Sequence, residues 1–322
     1  MKLCVIGGAG ARSAFLTKSL VKSAREIRVD HIVLLDNNEE HLRTYGQISK
    51  ELARRMEPSL TFDITSDARG ALTGADYIIT TIRAGGDAGR LFDEKTCLAH
   101  GVLGQETTGA GGFAMAIRSV PTLVYYCTLA REVSNPGHLI FNFTNPSGII
   151  TQALRSCGFA NVYGICDAPS GFIKQLEEIL NVPYGALDIE CYGLNHLSWF
   201  RNAKLDGRDV QEELLNNPRT YQHSEMRLFT REMARLSGEC MLNEYLYFYY
   251  RREKSLSMVQ KAEHPRGEMI YLINRELETQ LAQMELPRDF EKAFNLYMNA
   301  YGKRKNAYFS VESGARREKV WN

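Results

Sequence analysis

The chain has 322 residues, 44% of them apolar, and 39 basic against 38 acidic side chains leave a formal net charge of +1. This length exceeds a single small core, and charges of both signs scattered without a basic stripe argue against nucleic acid as a partner. Seven cysteines, an odd number without close pairs, do not make a disulfide framework.

The first residues, Met1 to Gly7, turn to glycine too soon for a signal peptide, and no apolar run is read as reaching the roughly 18 residues of a membrane span, so a cytoplasmic protein is expected. A strand is predicted over Lys2 to Gly8. It runs into Gly8-x-Gly10-x-x-Ser13, after which Phe15, Leu16, Leu20 and Val21 recur at helical spacing. A second strand over His31 to Leu35 ends at Asp36, and Glu40 to Met56 reads as one charged helix. Asp76 to Thr81 is the next predicted strand, Phe113 to Val133 a long helix, and His138 to Phe143 a strand that stops at Thr144-Asn145-Pro146. Strands alternating with helices imply a doubly wound, Rossmann-like parallel sheet. Beyond about residue 165 regularity falls, with a strand over Leu187 to Tyr192, a turn at Asp206-Gly207 and helical patterns from Glu225 onward. The expected organisation is a nucleotide-binding domain over 1–165 followed by a mixed α+β substrate and oligomerisation domain over 166–322, closely packed together.

A glycine turn that follows a strand, opens a helix and is answered by an acid after the second strand suits a dinucleotide. Gly8 and Gly10 would let a pyrophosphate sit on the helix N-terminus, and Asp36 would accept bonds from ribose hydroxyls while repelling a 2′-phosphate, which favours NAD. Arg12 within the turn is placed to reach a phosphate or to point to solvent. The segment Gly104 to Gly112 has four glycines among nine residues, a composition read as backbone that approaches a ligand closely.

Five further motifs, Ile82-Arg83-Ala84-Gly85-Gly86, Gly104-Gln105-Glu106-Thr107-Thr108-Gly109, Phe143-Thr144-Asn145-Pro146, Cys166-Asp167-Ala168-Pro169 and Gly193-Leu194-Asn195-His196, occur in the order seen in glycoside hydrolase family 4. The chain resembles that family's 6-phospho-glucosidases from the first strand to about Tyr308. This family departs from the usual two-carboxylate scheme and uses NAD in a redox cycle. The resemblance implies oxidation at C3, elimination across C1 and C2, addition of water and reduction back, with a divalent metal, Mn²⁺ in the family, stabilising the enolate. It places Cys166 and His196 as metal ligands, Asp167 as the acid assisting departure of the glycosidic oxygen, and Tyr245 as base for the C2 proton, with Tyr249 in reserve. It also places Arg83 near the nucleotide, Arg90, Glu106, Asn145 and Asn195 on the sugar, and Arg266 near the 6-phosphate.

Cys166-Asp167 resembles certain α-enzymes, whereas the glycine turn and Gln105 to Gly109 resemble β-enzymes. The expected substrate is a phosphorylated disaccharide or glucoside, with the β-anomer first. The alternatives are an α-glucosidase or α-galacturonidase-like relative, a simple NAD-dependent dehydrogenase, or an inactive NAD-binding module. Family members usually form dimers or tetramers and continue past the point at which this chain ends, Val320-Trp321-Asn322, so the resemblance implies a further strand-rich segment that the sequence does not contain.

Overall fold

A computed structural model describes residues 1–306; Tyr308 and the terminal Val320-Trp321-Asn322 lie outside the described residues. The first half is a six-stranded parallel sheet in the order β3-β2-β1-β4-β5-β6, made of β1 (Lys2–Ile6), β2 (His31–Leu35), β3 (Thr61–Thr65), β4 (Tyr77–Thr80), β5 (Leu139–Asn142) and β6 (Val162–Gly164). The order reverses between β1 and β4, which sit side by side with Leu3 opposite Tyr77 and Ile6 opposite Thr80. Alternation along β1 decides the layers. Leu3 and Val5 join Ile32 and Leu34 on one face, and Cys4 and Ile6 join Val33, Leu35, Ile78 and Ile140 on the other. Both faces are covered by helices, so the strands read as apolar runs.

The helices of this half are α1 (Ser13–Ser23), α2 (Gln47–Met56), α3 (Ala68–Leu72), α4 (Gly86–Ala99), α5 (Gly109–Val133) and α6 (Ser147–Ser156). The helix expected over Glu40 to Met56 starts at Glu39, passes through a π turn at Leu42–Gly46 and continues as α2. At that turn the Thr44 hydroxyl donates to the carbonyls of Glu40 and His41, a side-chain competitor for the helical ladder. Two strands, β3 and β6, were not anticipated. β3 is an edge strand with a charged, exposed centre at Asp63, and β6 has three residues.

The expectation of no span-length apolar helix needs correcting, because α5 has the length and composition to cross a membrane. Here it covers the sheet: Met115, Ser119, Leu123 and Cys127 recur every four residues on its buried face. It also begins at Gly109, four residues before the predicted start. The glycine segment therefore meets protein backbone. A Cβ on Gly104 would stand 2.4 Å from Glu94 Cα, and one on Gly111 would stand 2.7 Å from the Gln105 carbonyl oxygen, so these residues let the loop lie flat against α4 and the start of α5.

The second half is built on the hairpin β7 (Leu187–Leu194) and β8 (Leu197–Leu205), extended by β9 (Arg208–Asp209) and β10 (Met241–Leu242). The expected turn at Asp206-Gly207 joins β8 to β9 with both residues at positive φ. One core unites α7 (Ala168–Leu180) with β8 and the tyrosine-rich segment, through Phe172, Leu176, Phe200, Leu242, Tyr245 and Phe248. The tyrosines do not share one helix: a 3-10 turn at Glu244–Leu246 precedes a single helical turn at Tyr247–Tyr250.

Three helices follow, α8 (Arg252–Lys261), α9 (Arg266–Leu281) and α10 (Phe290–Asn306), and the last two return to the first half. Leu277, Leu281, Phe290 and Tyr297 share a core with Ala14, Tyr45 and Ile48. The halves are thus closely packed.

Candidate active site

Three groups of side chains meet where the carboxyl ends of the parallel strands face the second half. The first is the glycine turn. Its backbone N–H groups at Gly7 and Gly8 both donate to the Leu35 carbonyl, at 2.8 and 3.0 Å, and so lock β1 to β2. Gly8 and Gly10 have different tasks. A Cβ on Gly8 would stand 2.9 Å from Leu34 Cβ, whereas one on Gly10 would meet nothing nearer than 3.9 Å, which leaves its outer side open to a ligand. Asp36 Oδ2 accepts the Ala9 N–H at 3.1 Å and Oδ1 that of Asn38 at 3.0 Å, so the carboxylate holds the turn. Burial pushes the Asp36 carboxyl up, against the pull of these two backbone N–H groups. The N–H groups of Gly10, Ala11 and Arg12 have no protein acceptor among the described residues, so the turn leading into α1 offers the unpaired donors that a pyrophosphate needs. Arg12 caps that helix, is exposed, and has no ion-pair partner among the described residues.

The second group is cationic. Arg83, read as a nucleotide residue, and Arg90, read as a sugar residue, converge on one oxygen of Glu106: Arg83 Nη1 donates to Oε2, and Arg90 Nε lies 3.4 Å from it. Arg83 also pairs with Asp87 at 3.4 Å. Arg266, buried at the start of α9, belongs to the same cluster. Burial works against the Glu106 charge, but Arg83, Arg90 and Arg266 outweigh it and hold the carboxyl well below the ordinary range. The neighbouring Gly267 N–H donates to the buried Glu94 Oε2 at 2.6 Å, which fixes the start of α9 on α4.

The third group contains the sulfur and imidazole donors. Cys166 ends the loop after β6, at the N-terminus of α7, where its sulfur accepts from the Ala168 N–H and the Asn195 side chain; burial nevertheless raises the thiol. His196 reaches it from the tip of the β7–β8 hairpin, with Cys166 Sγ to His196 Nε2 at 3.5 Å. The local sequence explains that tip. His196 takes a left-handed φ of +58°, and Gly193 takes φ +114° because a Cβ there would stand 2.4 Å from the Leu197 carbonyl oxygen. Burial lowers His196 to about 4, so the imidazole is neutral and able to ligate. At 3.5 Å the sulfur and the ring nitrogen are near enough for one ion to be held between them. The residues therefore fit a divalent metal. No cluster of three or more His, Cys, Asp or Glu suited to a metal occurs among the described residues.

Tyr245 lies over His196 with ring centroids 4.2 Å apart and planes 30° apart, while Tyr249 is 48% exposed. Asp167 is exposed at the cap of α7, within electrostatic reach of both Cys166 and His196. Asn145 precedes a cis Pro146 and has no hydrogen-bond partner among the described residues. Beside this group a cleft of about 1,000 Å³ opens, lined among others by Ser147, Thr151, Gln152, Arg155, Cys166 and Asn195.

Several contributors were not anticipated from the sequence. A buried network at the ends of β4 and β5 links Thr80 to Asn142 at 2.8 Å and Ile82 N–H to Thr144 at 3.1 Å, and supports the Asn145 loop. Tyr297 and Arg304 of α10 both donate to the Ala11 carbonyl inside the glycine turn, at 3.1 and 3.2 Å. Only Ile82 and Thr144, each within a named motif, carried a local signal.

Comparison with known proteins places this geometry. Residues 2–182 match the family 4 glycosyl hydrolase model, and residues 191–313 match the model of that family's C-terminal domain. The chain is 30% identical to the 6-phospho-beta-glucosidase BglT of Thermotoga maritima over 297 residues, which covers 91% of the chain and 69% of that enzyme. It is 28% identical to the 6-phospho-beta-glucosidase of Escherichia coli, over 88% of the chain and 65% of that enzyme. A solved structure of the Thermotoga maritima enzyme with manganese, NAD⁺ and glucose-6-phosphate superposes with a TM-score of 0.78, over 94% of this chain and 72% of that one. A 6-phospho-alpha-glucosidase from gut microorganisms, solved with NAD and Mn²⁺, is 25% identical with a TM-score of 0.79, over 95% of this chain and 74% of that one.

Proposed function

Because the chain belongs to family 4 of the glycosyl hydrolases, we propose that it hydrolyses 6-phospho-β-glucosides in the cytoplasm, with NAD and a divalent metal, Mn²⁺ first, as cofactors. The observation that carries this reading is the meeting of Cys166, His196 and Tyr245, within 3.5 and 4.2 Å of one another, at the mouth of a dinucleotide fold. The Thermotoga maritima relative binds manganese, NAD⁺ and glucose-6-phosphate, which supports the same cofactors here.

Bound NAD supplies a reversible hydride acceptor for C3, and a divalent ion supplies Lewis acidity beside C2 and C3. The chain's own residues divide the remaining work. The free N–H groups of Gly10, Ala11 and Arg12 receive the pyrophosphate, and Asp36 keeps lone pairs for ribose hydroxyls while its charge opposes a 2′-phosphate. Cys166 and His196 offer one sulfur and one nitrogen donor. Tyr245 takes the C2 proton at its phenol oxygen, a group that ordinarily titrates near pH 10 and so needs positive charge nearby to act at neutrality. Asp167, exposed at the cap of α7, gives a proton to the departing glycosidic oxygen. Arg266, with Arg90 beside it, holds the 6-phosphate through charge-assisted bonds, and Arg83 spans the cofactor and sugar sides. Glu106, Asn145 and Asn195 accept and donate at the sugar hydroxyls, and the cleft beside Cys166 receives the leaving group. In this reading residues 1–165 carry the cofactor, and 166–322 carry the metal donors and the base.

Assembly as a homodimer or homotetramer belongs to the same reading. Phe113, Ile117 and Tyr125 are exposed apolar side chains on α5, 61%, 58% and 59% accessible. One observation favours a second substrate reading: Asp167 directly follows Cys166, the pairing associated with α-acting relatives.

The test is nitrophenol release from 6-phospho-β- and 6-phospho-α-glucosides by protein supplied with NAD⁺ and Mn²⁺, with unphosphorylated glucosides alongside. Release from the β-compound that needs both cofactors supports the proposal, and release from the α-compound alone moves it to the second reading. Accumulation of free NADH without glycoside cleavage overturns it in favour of a simple dehydrogenase.

A further inference from the structure

Tyr245 sits at the first turn of a chain segment with little regular structure, yet it must hold a fixed place over His196. We propose that Asn243 and Glu225 are positioning residues that cross-link Tyr245 to the two elements bearing Cys166 and His196. The inference rests on the proposed function, in which Tyr245 takes the C2 proton.

Asn243 is 1% exposed and Glu225 3% exposed, and both lie in an apolar core with Met226, Leu242 and Leu246. Polar groups survive there only when bonded. Asn243 Oδ1 accepts the Tyr245 N–H at 3.1 Å, and its Nδ2 donates to Glu225 Oε2 at 3.3 Å. The same Glu225 oxygen accepts the Glu244 N–H at 2.9 Å, so two consecutive amides of the 3-10 turn are held by two side chains that also hold each other.

The network then reaches outward in two directions. The Asn243 N–H donates to the Ser198 carbonyl at 3.1 Å, two residues beyond His196 on β8. The Glu225 N–H donates to Gln175 Oε1 at 2.9 Å, on α7, the helix whose N-terminus follows Cys166 directly. Cys166, His196 and Tyr245 come from three separate segments, and this one buried array ties their supports together. A neutral core would pack these segments without fixing the rotation of the Tyr245 turn, whereas directional bonds fix it.

The experiment compares wild type with Asn243→Ala and Asn243→Ser in the holoenzyme, using a phosphorylated glucoside with protium or deuterium at C2. Serine keeps a short oxygen acceptor for the 3-10 turn, as it does at helix caps. For Asn243→Ala the expected result is a fall in kcat of about 10- to 100-fold, the scale of a misplaced reacting group, with KM changed less than about threefold. The deuterium effect on kcat should rise as proton removal becomes limiting. Asn243→Ser should recover most of the lost kcat, and Glu225→Gln, which keeps an acceptor oxygen, should lose less than Asn243→Ala.

Amide exchange at Tyr245 is read in parallel: slow in wild type and in Asn243→Ser, fast in Asn243→Ala. Should wild type cleave no glucoside, the functional reading fails, and exchange alone then decides whether the array holds Tyr245. Unchanged kcat and unchanged Tyr245 exchange in Asn243→Ala would overturn the proposal. So would equal losses in the alanine and serine variants with no change in the deuterium effect. If Asn243→Ala does not fold, the serine variant and Glu225→Gln carry the test by the same two readouts, and wild-type behaviour in both would overturn it.

Discussion

Replacing Gly193 by alanine should damage the hairpin tip and the proposed metal pair together. At φ +114° an L-residue is strained by about 1–2 kcal/mol, as in other left-handed conformations. The added Cβ would stand 2.4 Å from the Leu197 carbonyl oxygen and 3.1 Å from Ser198 Cα, both backbone atoms that cannot rotate aside. Relieving that overlap by opening the hairpin adds about 1–3 kcal/mol, the usual scale of overpacking. The total is about 3 kcal/mol, which for a chain of this size lowers Tm by about 4 °C. Because the displaced strand ends carry Asn195 and His196, Mn²⁺ affinity should fall about 10- to 100-fold, the scale seen when the support of a ligating histidine is disturbed. Gly207→Ala is the matched control: its φ is +80° but nothing lies within 4 Å of the new Cβ, so about 1–2 kcal/mol and no change in metal affinity are expected. Scanning calorimetry with a Mn²⁺ titration followed by electron paramagnetic resonance reads both quantities. The reasoning is refuted if Gly193→Ala melts within about 1 °C of wild type, or if Gly207→Ala loses as much metal affinity.

Cys166→Ser should weaken Mn²⁺ binding by at least about 100-fold, beyond the loss expected from a supporting residue, while NAD affinity measured by calorimetry stays within about twofold. Glu106→Gln leaves Arg83, Arg90 and Arg266 without their shared charge, a change that costs about 3–5 kcal/mol for a buried pair and should show as a lower Tm. The folded carboxyl of Glu106 titrates below its ordinary value of 4.5, so its stabilising share is complete above that pH and is lost as pH falls through the folded value. Wild-type and Glu106→Gln melting temperatures should therefore converge only in strong acid, and convergence near pH 6 would contradict the cluster. Arg266→Met should lower kcat/KM for phosphorylated substrates by about 30- to 1,000-fold, equivalent to about 2–4 kcal/mol, and leave unphosphorylated substrates within about threefold. Equal losses on both would assign Arg266 a structural part.

The elements legible in the sequence are those whose signals are local. β1 with its glycine turn, β2 closed by Asp36, and the tight β8–β9 turn each announce themselves within a few residues, because strand burial and positive φ constrain nearby side chains. β3 was missed because an edge strand tolerates Asp63 at its centre, and β6 because three residues carry no period. In the site, the motifs located Cys166 and His196 separately, but their approach to 3.5 Å depends on the hairpin folding back across thirty residues. The sharing of Glu106 by Arg83 and Arg90 likewise depends on how α4 and the glycine loop pack. Asn243 and Glu225 have no periodic or compositional mark at all, since their meaning lies in bonds to partners fixed by tertiary structure.

The contacts of Tyr297 and Arg304 with the Ala11 carbonyl span 286 and 293 positions of chain. The glycine turn is thus supported from outside by residues that are made almost three hundred positions later. A nascent chain can form β1, α1 and β2 early from neighbouring residues, but the turn acquires its full set of partners only when α10 arrives. Such long-range closure slows folding relative to a self-contained nucleotide domain. It also reserves the completed turn for molecules in which Tyr297 and Arg304 have already reached Ala11.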